Sequence, residues 1–359
     1  MGFSPFVSEE STWVPTTRQD GKTAIVTGSN KGIGLATATS LAALGAHVVL
    51  AGVDPEWAFE EALEKIVNST GCLPSKLEYI PLDLGCQVSI RNFADVWSKR
   101  KDTSLHILIN NAGVPGMPGL CKDGWEMCWG INYIGATLLT RLLLRFLTPT
   151  KPDSATLEYL NLGASSSAAQ DPDLKLQELD DCLDPARIVF VSSAAHLFTF
   201  GLSLDEKYLT TSGGGFFSFR YGQSKLAILM FAKELARRLE SALKSPMRKV
   251  RLAGKDTNSG PLSGPIRVYV VHPGSTYSNF YDGFPLFIRN IISKFTYSTD
   301  KGALTSLYCA TEPSIAHQTG LYYSDCRIAS SSSYANDKES MLKLWQATSQ
   351  WTASTESII

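Results

Sequence analysis

No charge of either sign dominates this sequence. Its 359 residues hold 33 Lys plus Arg against 34 Asp plus Glu, so no basic excess is present to attract a nucleic acid. No apolar run approaches the roughly 20 residues of a membrane span. The opening stretch, "MGFSPFVSEESTWVPTTRQDGK", lacks an apolar core of signal-peptide length. Gly2 follows Met1, but Phe6 stands where a myristoylation motif needs Ser or Thr. The seven cysteines (Cys72, Cys86, Cys121, Cys128, Cys182, Cys309 and Cys326) form no Cys-x-x-Cys pair and do not cluster with histidine. That disfavours a disulfide framework and a zinc site alike, and no metal is expected. Reduced thiols point to a cytoplasmic protein. The sequon at Asn68–Thr70 is then expected to go unused. No internal repeat is visible.

What is present is alternation. Short apolar runs, "TAIVTGS", "AHVVLAG", "KLEYIPLDL", "HILINNAG", "RIVFVSSA" and "IRVYVVHPG", are separated by helical patterns such as "EWAFEEALEKIVNSTG" and "SKLAILMFAKELARRLESAL". Continuously apolar strands separated by helices predict an α/β fold, a Rossmann-type doubly wound parallel sheet with both faces covered. One domain is expected over 21–325, after an N-terminal extension (1–20) and before a C-terminal helical segment (326–359). Two stretches break the rhythm, at about 148–185 and 245–265, and read as surface insertions.

The first apolar run ends in "TGSNKGIG", Thr27 to Gly34. Gly28 permits a tight turn. Gly32 and Gly34 let backbone amides approach a pyrophosphate and let the helix pack closely on the sheet. "FRYGQSKLAI" raises a second question, because Tyr221 and Lys225 are spaced to share one face of a helix.

"TGSNKGIG", then "NNAG" at Asn110–Gly113, then "YGQSK" together resemble the short-chain dehydrogenase/reductase family, from about Lys22 to about Tyr323. "RIVFVSSAAH", "YGQSKLAILMFAKELARRL" and "VHPG" are most similar to its retinol dehydrogenase-like branch. The resemblance implies a nicotinamide cofactor held by Gly28, Ser29, Asn30, Lys31, Gly32, Ile33 and Gly34 on its phosphates. Asp83 and Leu84 would lie at the adenine. Asn110, Asn111, Ala112 and Gly113 would steady the sheet and face the adenine ribose. His272 would be a turn residue rather than a base. Pro273, Gly274 and Thr276 or Ser278 would meet the carboxamide.

The choice of cofactor rests on the end of the second run. Gly52 and Val53 stand where an acidic residue would bond the ribose hydroxyls, and Asp54 lies just beyond. Lys31 matches the basic residue of many NADP-preferring relatives. NADP(H) is therefore expected over NAD(H), unless Asp54 reaches the ribose.

The same resemblance assigns Tyr221 as acid–base, Lys225 as the ammonium that favours its phenolate and holds the nicotinamide ribose, Ser193 as the hydroxyl that orients the substrate oxygen, and Asn132 as the anchor of a water leading to Lys225. A free tyrosine titrates at about 10, so a neighbouring positive charge is what would make it useful near neutrality. Phe198, Phe200, Phe216, Phe217 and Phe219 could line an apolar pocket or pack their own loop. The apolar segment Phe280–Phe295 falls where the family's substrate loop lies, and reads as a pocket lid ahead of core or a peripheral membrane contact. The expected partner is a small lipophilic carbonyl or alcohol such as a retinoid, steroid, polyprenoid or polyketide. Relatives pair through the long helices holding Asn132 and Tyr221, so a homodimer is one expectation, with the insertions opposing it. Two other readings stay open: a silent NAD(P)-binding regulator or scaffold, and a natural-product ketoreductase.

Overall fold

The computed structural model describes residues 12–150, 183–213, 219–245, 264–274 and 298–353. Phe216, Phe217, Thr276, Ser278, the Phe280–Phe295 segment, Cys182 and most of both insertions lie outside the described residues.

Eight strands among these residues form one sheet in the order β3-β2-β1-β4-β5-β6-β7-β8. They are β1 (Thr23–Thr27), β2 (His47–Gly52), β3 (Leu77–Pro81), β4 (Ile107–Asn110), β5 (Ala186–Val191), β6 (Ile266–His272), β7 (Leu321–Ser324) and β8 (Arg327–Ile328). The first seven run parallel, and β8 turns back antiparallel on β7. Helices are α1 (Gly32–Ala43), α2 (Glu56–Thr70), α3 (Gln87–Ser98), α4 (Ala136–Leu143), α5 (Phe219–Leu243), α6 (Thr299–Thr311) and α7 (Lys338–Trp351). The expected doubly wound α/β plan is the one observed.

The central strands bury both faces, which is why their sequences run apolar without alternating. Ile25, Val49, Phe190 and Val270 face one layer, built on α3, α4, α5 and α7. Ala24, Val26, Leu50, Val189 and Val271 face the other, built on α1, α2 and α6. Helix α2 shows how the layers are specified. Its buried residues, Phe59, Ala62 and Ile66, recur at helical spacing. It stops at Gly71, which is left-handed (φ 68°) and returns its N–H to Val67.

Two features differ from the sequence expectation. Six apolar runs predict six strands, but the sheet continues through β7 and β8, past Tyr323. The C-terminal segment has a 3-10 turn at Ser333–Asn336 and is α-helical only from Lys338. That helix, α7, lies on α4 and α5. Trp345 stacks on Phe231 with ring centroids 5.1 Å apart and 14° between planes. The Arg141 and Arg238 guanidiniums lie 4.6 and 4.5 Å from its ring centre.

The strand order reverses between β1 and β4, so a crevice opens beyond their C-terminal ends. β1, β4, β5 and β6 all end at this edge, in register (Val26 beside Ile109, Asn110 beside Phe190, Val191 beside Val271).

Candidate active site

The turn after β1 is built for close approach. Gly28 and Gly32 have φ of 63° and 60°, a region glycine enters without strain. A Cβ on Gly34 would come within 2.1 Å of Gly28 O and 2.5 Å of Asn111 Nδ2. Ser29 is buried, donating to Val26 O at 2.7 Å and accepting from Ala51 N at 3.2 Å. No side chain caps the first turn of α1. Its amides, with the positive end of the helix dipole, suit a pyrophosphate. The residues present therefore fit a dinucleotide.

"NNAG" locks onto this turn through its second asparagine. Asn111 Nδ2 donates to Thr27 O at 2.7 Å, and Thr27 Oγ1 accepts from the amides of Asn111 and Ala112 at 3.0 and 2.9 Å. The side chain of Asn110 points the other way, donating to Thr140 Oγ1 at 2.9 Å. It ties the sheet to α4. Asn111 thus links the ends of β1 and β4, and Asn110 links the sheet to α4.

At the end of β2, Lys31 and Asp54 meet each other. Lys31 Nζ is 2.7 Å from Asp54 Oδ2, and Asn30 Nδ2 donates to the same oxygen at 2.8 Å. The bond from Lys31 holds the Asp54 carboxyl below its ordinary range. The two residues that argued for different cofactors are an ion pair. Asp83 closes its own turn by accepting from Gly85 N at 2.8 Å, and pairs with Lys122 at 2.8 Å.

The second half of the site starts from an irregular helix. Cys128–Gly135 is a π-helix, hydrogen-bonded i to i+5, running into α4. Such stretches mark places where a helix yields to a local demand. Asn132 lies within this stretch. Its Oδ1 accepts from Val114 N at 2.7 Å, and its Nδ2 donates to Val114 O at 3.0 Å and Ser224 Oγ at 3.1 Å. Ser224 in turn donates to Tyr221 O at 2.8 Å. Asn132 is thus wired to the first turn of α5. Ser224 was legible only as a letter inside "YGQSK", since its spacing gave no reason to single it out.

Lys225 is 3% exposed. Its Nζ donates to Val191 O at 2.9 Å and lies 5.6 Å from the Tyr221 ring centre. Burial pushes Lys225 down to about 8. A Cβ on Gly113 would stand 3.1 Å from Asn132 Oδ1 and 3.3 Å from Lys225 Nζ, so that glycine admits both groups. The two serines after β5 separate by burial. Ser192 is enclosed and donates to Lys225 O at 3.0 Å. Ser193 is half-buried, and its Oγ accepts from Ala195 N at 3.2 Å. With that acceptor side engaged, its O–H proton can turn outward. His272, pushed down to about 4 by burial, stays neutral near pH 7. Phe198 and Phe200 are 73% and 84% exposed, and Phe200 stacks on Phe219 at 6.1 Å. They stand on the surface and enclose no pocket among the described residues.

Among the described residues there is no group of His, Cys, Asp and Glu fit to hold a metal, and no helix long and apolar enough to cross a membrane.

Residues 22–155 match the family model described as short chain dehydrogenase. Over 332 residues the chain is 32% identical to retinol dehydrogenase 12 of Mus musculus, covering 90% of this chain and 84% of that one. Human retinol dehydrogenase 11 is 33% identical, with 92% and 85% covered. The human WW domain-containing oxidoreductase is 30% identical, with 90% of this chain and 66% of that protein covered. An uncharacterized protein from Mycobacterium paratuberculosis superposes with a TM-score of 0.62 at 26% identity, over 94% and 95% of the chains. A Pseudomonas aeruginosa RhlG complex with NADP shares the fold, with a TM-score of 0.56 at 20% identity over 87% and 97% of the chains. Kinship of this kind brings dehydrogenase/reductase chemistry between alcohols and carbonyls, a nicotinamide cofactor and a small-molecule substrate. At this identity and coverage the chain belongs to the short-chain dehydrogenase family, on its retinol dehydrogenase-like branch.

Proposed function

We propose that this enzyme interconverts a lipophilic carbonyl and its alcohol, with NADP(H) preferred over NAD(H) and Tyr221 as acid–base. The observation that carries the chemistry is the buried Lys225 ammonium 5.6 Å from the Tyr221 ring, on a helix turn tied through Ser224 to Asn132. A desolvated positive charge beside a phenol favours the phenolate, which gives Tyr221 a working role near neutral pH.

A nicotinamide held here would supply or accept the hydride. Every proton and contact around it falls to this chain. In the reductive direction, Ser193 O–H donates to the carbonyl oxygen and fixes its position. Tyr221 O–H delivers the proton to that oxygen as it becomes a hydroxyl. Lys225 holds the charge left on Tyr221. In the oxidative direction the same groups act in reverse. Gly28 to Gly34 would hold the pyrophosphate, Asp83 and Leu84 the adenine, and Asn111, Ala112 and Gly113 the adenine ribose. Lys225 would bond the nicotinamide ribose, and Pro273, Gly274 and Thr276 would meet the carboxamide.

The NADP(H) preference is supported by Gly52 and Val53, which offer no carboxylate, and by Lys31 with Asn30 at the same edge. A 2′-phosphate carries more charge than Asp54 and would compete for both. A lipophilic substrate is supported by the names of the retinol dehydrogenase relatives.

The test is a titration with NADPH and NADH, read by tryptophan-to-nicotinamide energy transfer, followed by a panel of lipophilic ketones and aldehydes. Tight NADPH binding with oxidation by a panel member is expected. Failure to bind either cofactor would sink the proposal. Binding with no turnover on any panel member would favour a regulator.

A further inference from the structure

His196 has no part in the chemistry above, yet it is fully buried beside a residue that has. Its Nδ1 lies 2.6 Å from the Ser193 carbonyl oxygen. On its far side Nε2 lies 3.3 Å from the backbone N–H of Ser332. The partners decide the tautomer. A carbonyl can only accept, so Nδ1 carries the hydrogen. A backbone N–H can only donate, so Nε2 is bare. The imidazole is neutral, and burial opposes a second proton.

The ring is held on its other sides too. It packs edge to face on Tyr322, with centroids 4.9 Å apart and 72° between planes. The turn that carries it, Ala194–Phe198, presses on α5 one residue past Tyr221. A Cβ on Gly222 would come 2.8 Å from both Ala195 O and Thr199 Cγ2. The His196 amide also donates to Ser193 O, at 3.2 Å. One residue thus grips the Ser193 carbonyl twice and props it against the segment that leads into α7.

We propose that His196 is a positioning residue, whose Nδ1–H holds the Ser193 carbonyl and so sets the direction in which the Ser193 hydroxyl is offered to substrate. This rests on Ser193 being the substrate-orienting hydroxyl. That hydroxyl has its acceptor side bound to Ala195 N, so its donor direction follows the backbone of residue 193. A small rotation of that peptide would carry the O–H off the substrate oxygen while leaving the cofactor cradle untouched.

Two substitutions separate the two bonds. His196→Asn puts an amide nitrogen close to the place of Nδ1, so it keeps the Ser193 contact and gives up Ser332. His196→Gln reaches toward the place of Nε2, so it keeps the Ser332 contact and gives up Ser193. Each is made in the full chain, with kcat, KM, NADPH affinity and thermal midpoint measured on a carbonyl that the unaltered protein reduces. The Asn variant should keep kcat within about threefold, while the Gln variant should lose about 10- to 100-fold in kcat with NADPH affinity within about twofold. In a Ser193→Ala background the Gln change should cost no further kcat, as expected of residues acting as one unit. Equal kcat in the two variants would overturn the proposal. So would a loss that tracks the thermal midpoint and adds fully to Ser193→Ala. Tyr221→Phe runs alongside. If it keeps turnover, the reading of the whole site fails. If it is inactive while the Gln variant is fully active, only the role of His196 fails.

Discussion

Replacing Asp54 with Asn should tighten NADPH and leave NADH nearly alone. In the free protein Lys31 is engaged by Asp54 at 2.7 Å, with 54% of the lysine side chain and 31% of the aspartate side chain exposed. An arriving 2′-phosphate must draw Lys31 from that carboxylate. A pair so exposed is worth roughly 0.2–1 kcal/mol. At about 1.4 kcal/mol per tenfold, its removal should improve NADPH affinity about 1.4- to 5-fold. Asn preserves the shape and leaves a partner for Asn30. The gain should shrink at high salt, where surface charges are screened. Lys31→Ala should do the reverse, weakening NADPH and sparing NADH. The assay is the same energy-transfer titration, run with both cofactors at low and high salt. If Asp54→Asn instead weakens NADH about tenfold or more and leaves NADPH unchanged, Asp54 bonds the ribose hydroxyls. The NADP(H) preference is then refuted.

Other expectations follow from the geometry. Tyr221→Phe should abolish turnover while NADPH binding stays near normal; steady-state rates and the titration check both halves. Gly34→Ala drives a methyl against Gly28 O, a backbone atom that cannot step aside, and should cost about 1–3 kcal/mol or more in urea unfolding together with cofactor affinity. Lys225 should leave a mark on stability against pH. Burial holds it at about 8 when folded against an ordinary 10.5. Between those values the unfolded chain keeps a proton that the folded chain has lost, so this residue makes stability rise with pH there. The difference between the unaltered protein and Lys225→Met, followed by urea unfolding across that range, should show the rise; a flat difference would contradict it. Trp345→Ala removes the stack on Phe231 and both cation–π contacts, and should cost about 3–5 kcal/mol in the same measurement.

How much of this was legible in the sequence varies with the range of the forces involved. Strands β1 to β6 stand out because burial of the sheet demands mostly apolar runs, broken only by single polar residues such as Glu78, Arg187 and Arg267. β7 does not, because "LYYS" is short and has no aliphatic run, only one leucine and two tyrosines. Its last tyrosine, Tyr323, needs Gln318 as a hydroxyl partner. β8 is two residues, set only by pairing with β7. The cofactor turn was legible because its glycines answer to local backbone geometry. The Lys31–Asp54 pair was not, since the side chains come from different strand ends and each alone argued for a different cofactor. Likewise Asn110 and Asn111 are adjacent letters, and only the strand's alternation sends one to α4 and the other to the glycine turn. The tautomer of His196 is fixed in part by the N–H of Ser332, 136 positions away.

The π-helix at Cys128–Gly135 has a consequence for the site. Such a stretch is equivalent to an α-helix with one residue inserted. Deleting a single residue there, Ile131 for example, would let the run close into a regular α-helix with better-formed bonds. The flanking segments would keep nearly the same phase, because the extra residue of a π turn is absorbed locally, but Asn132 would move to a different angle around the axis relative to α4. That shift would take Asn132 away from Val114 and Ser224 while α4 kept its seat on α3. The irregular helix is therefore what seats Asn132 against Val114 and Ser224, and a change that regularised it would undo those bonds.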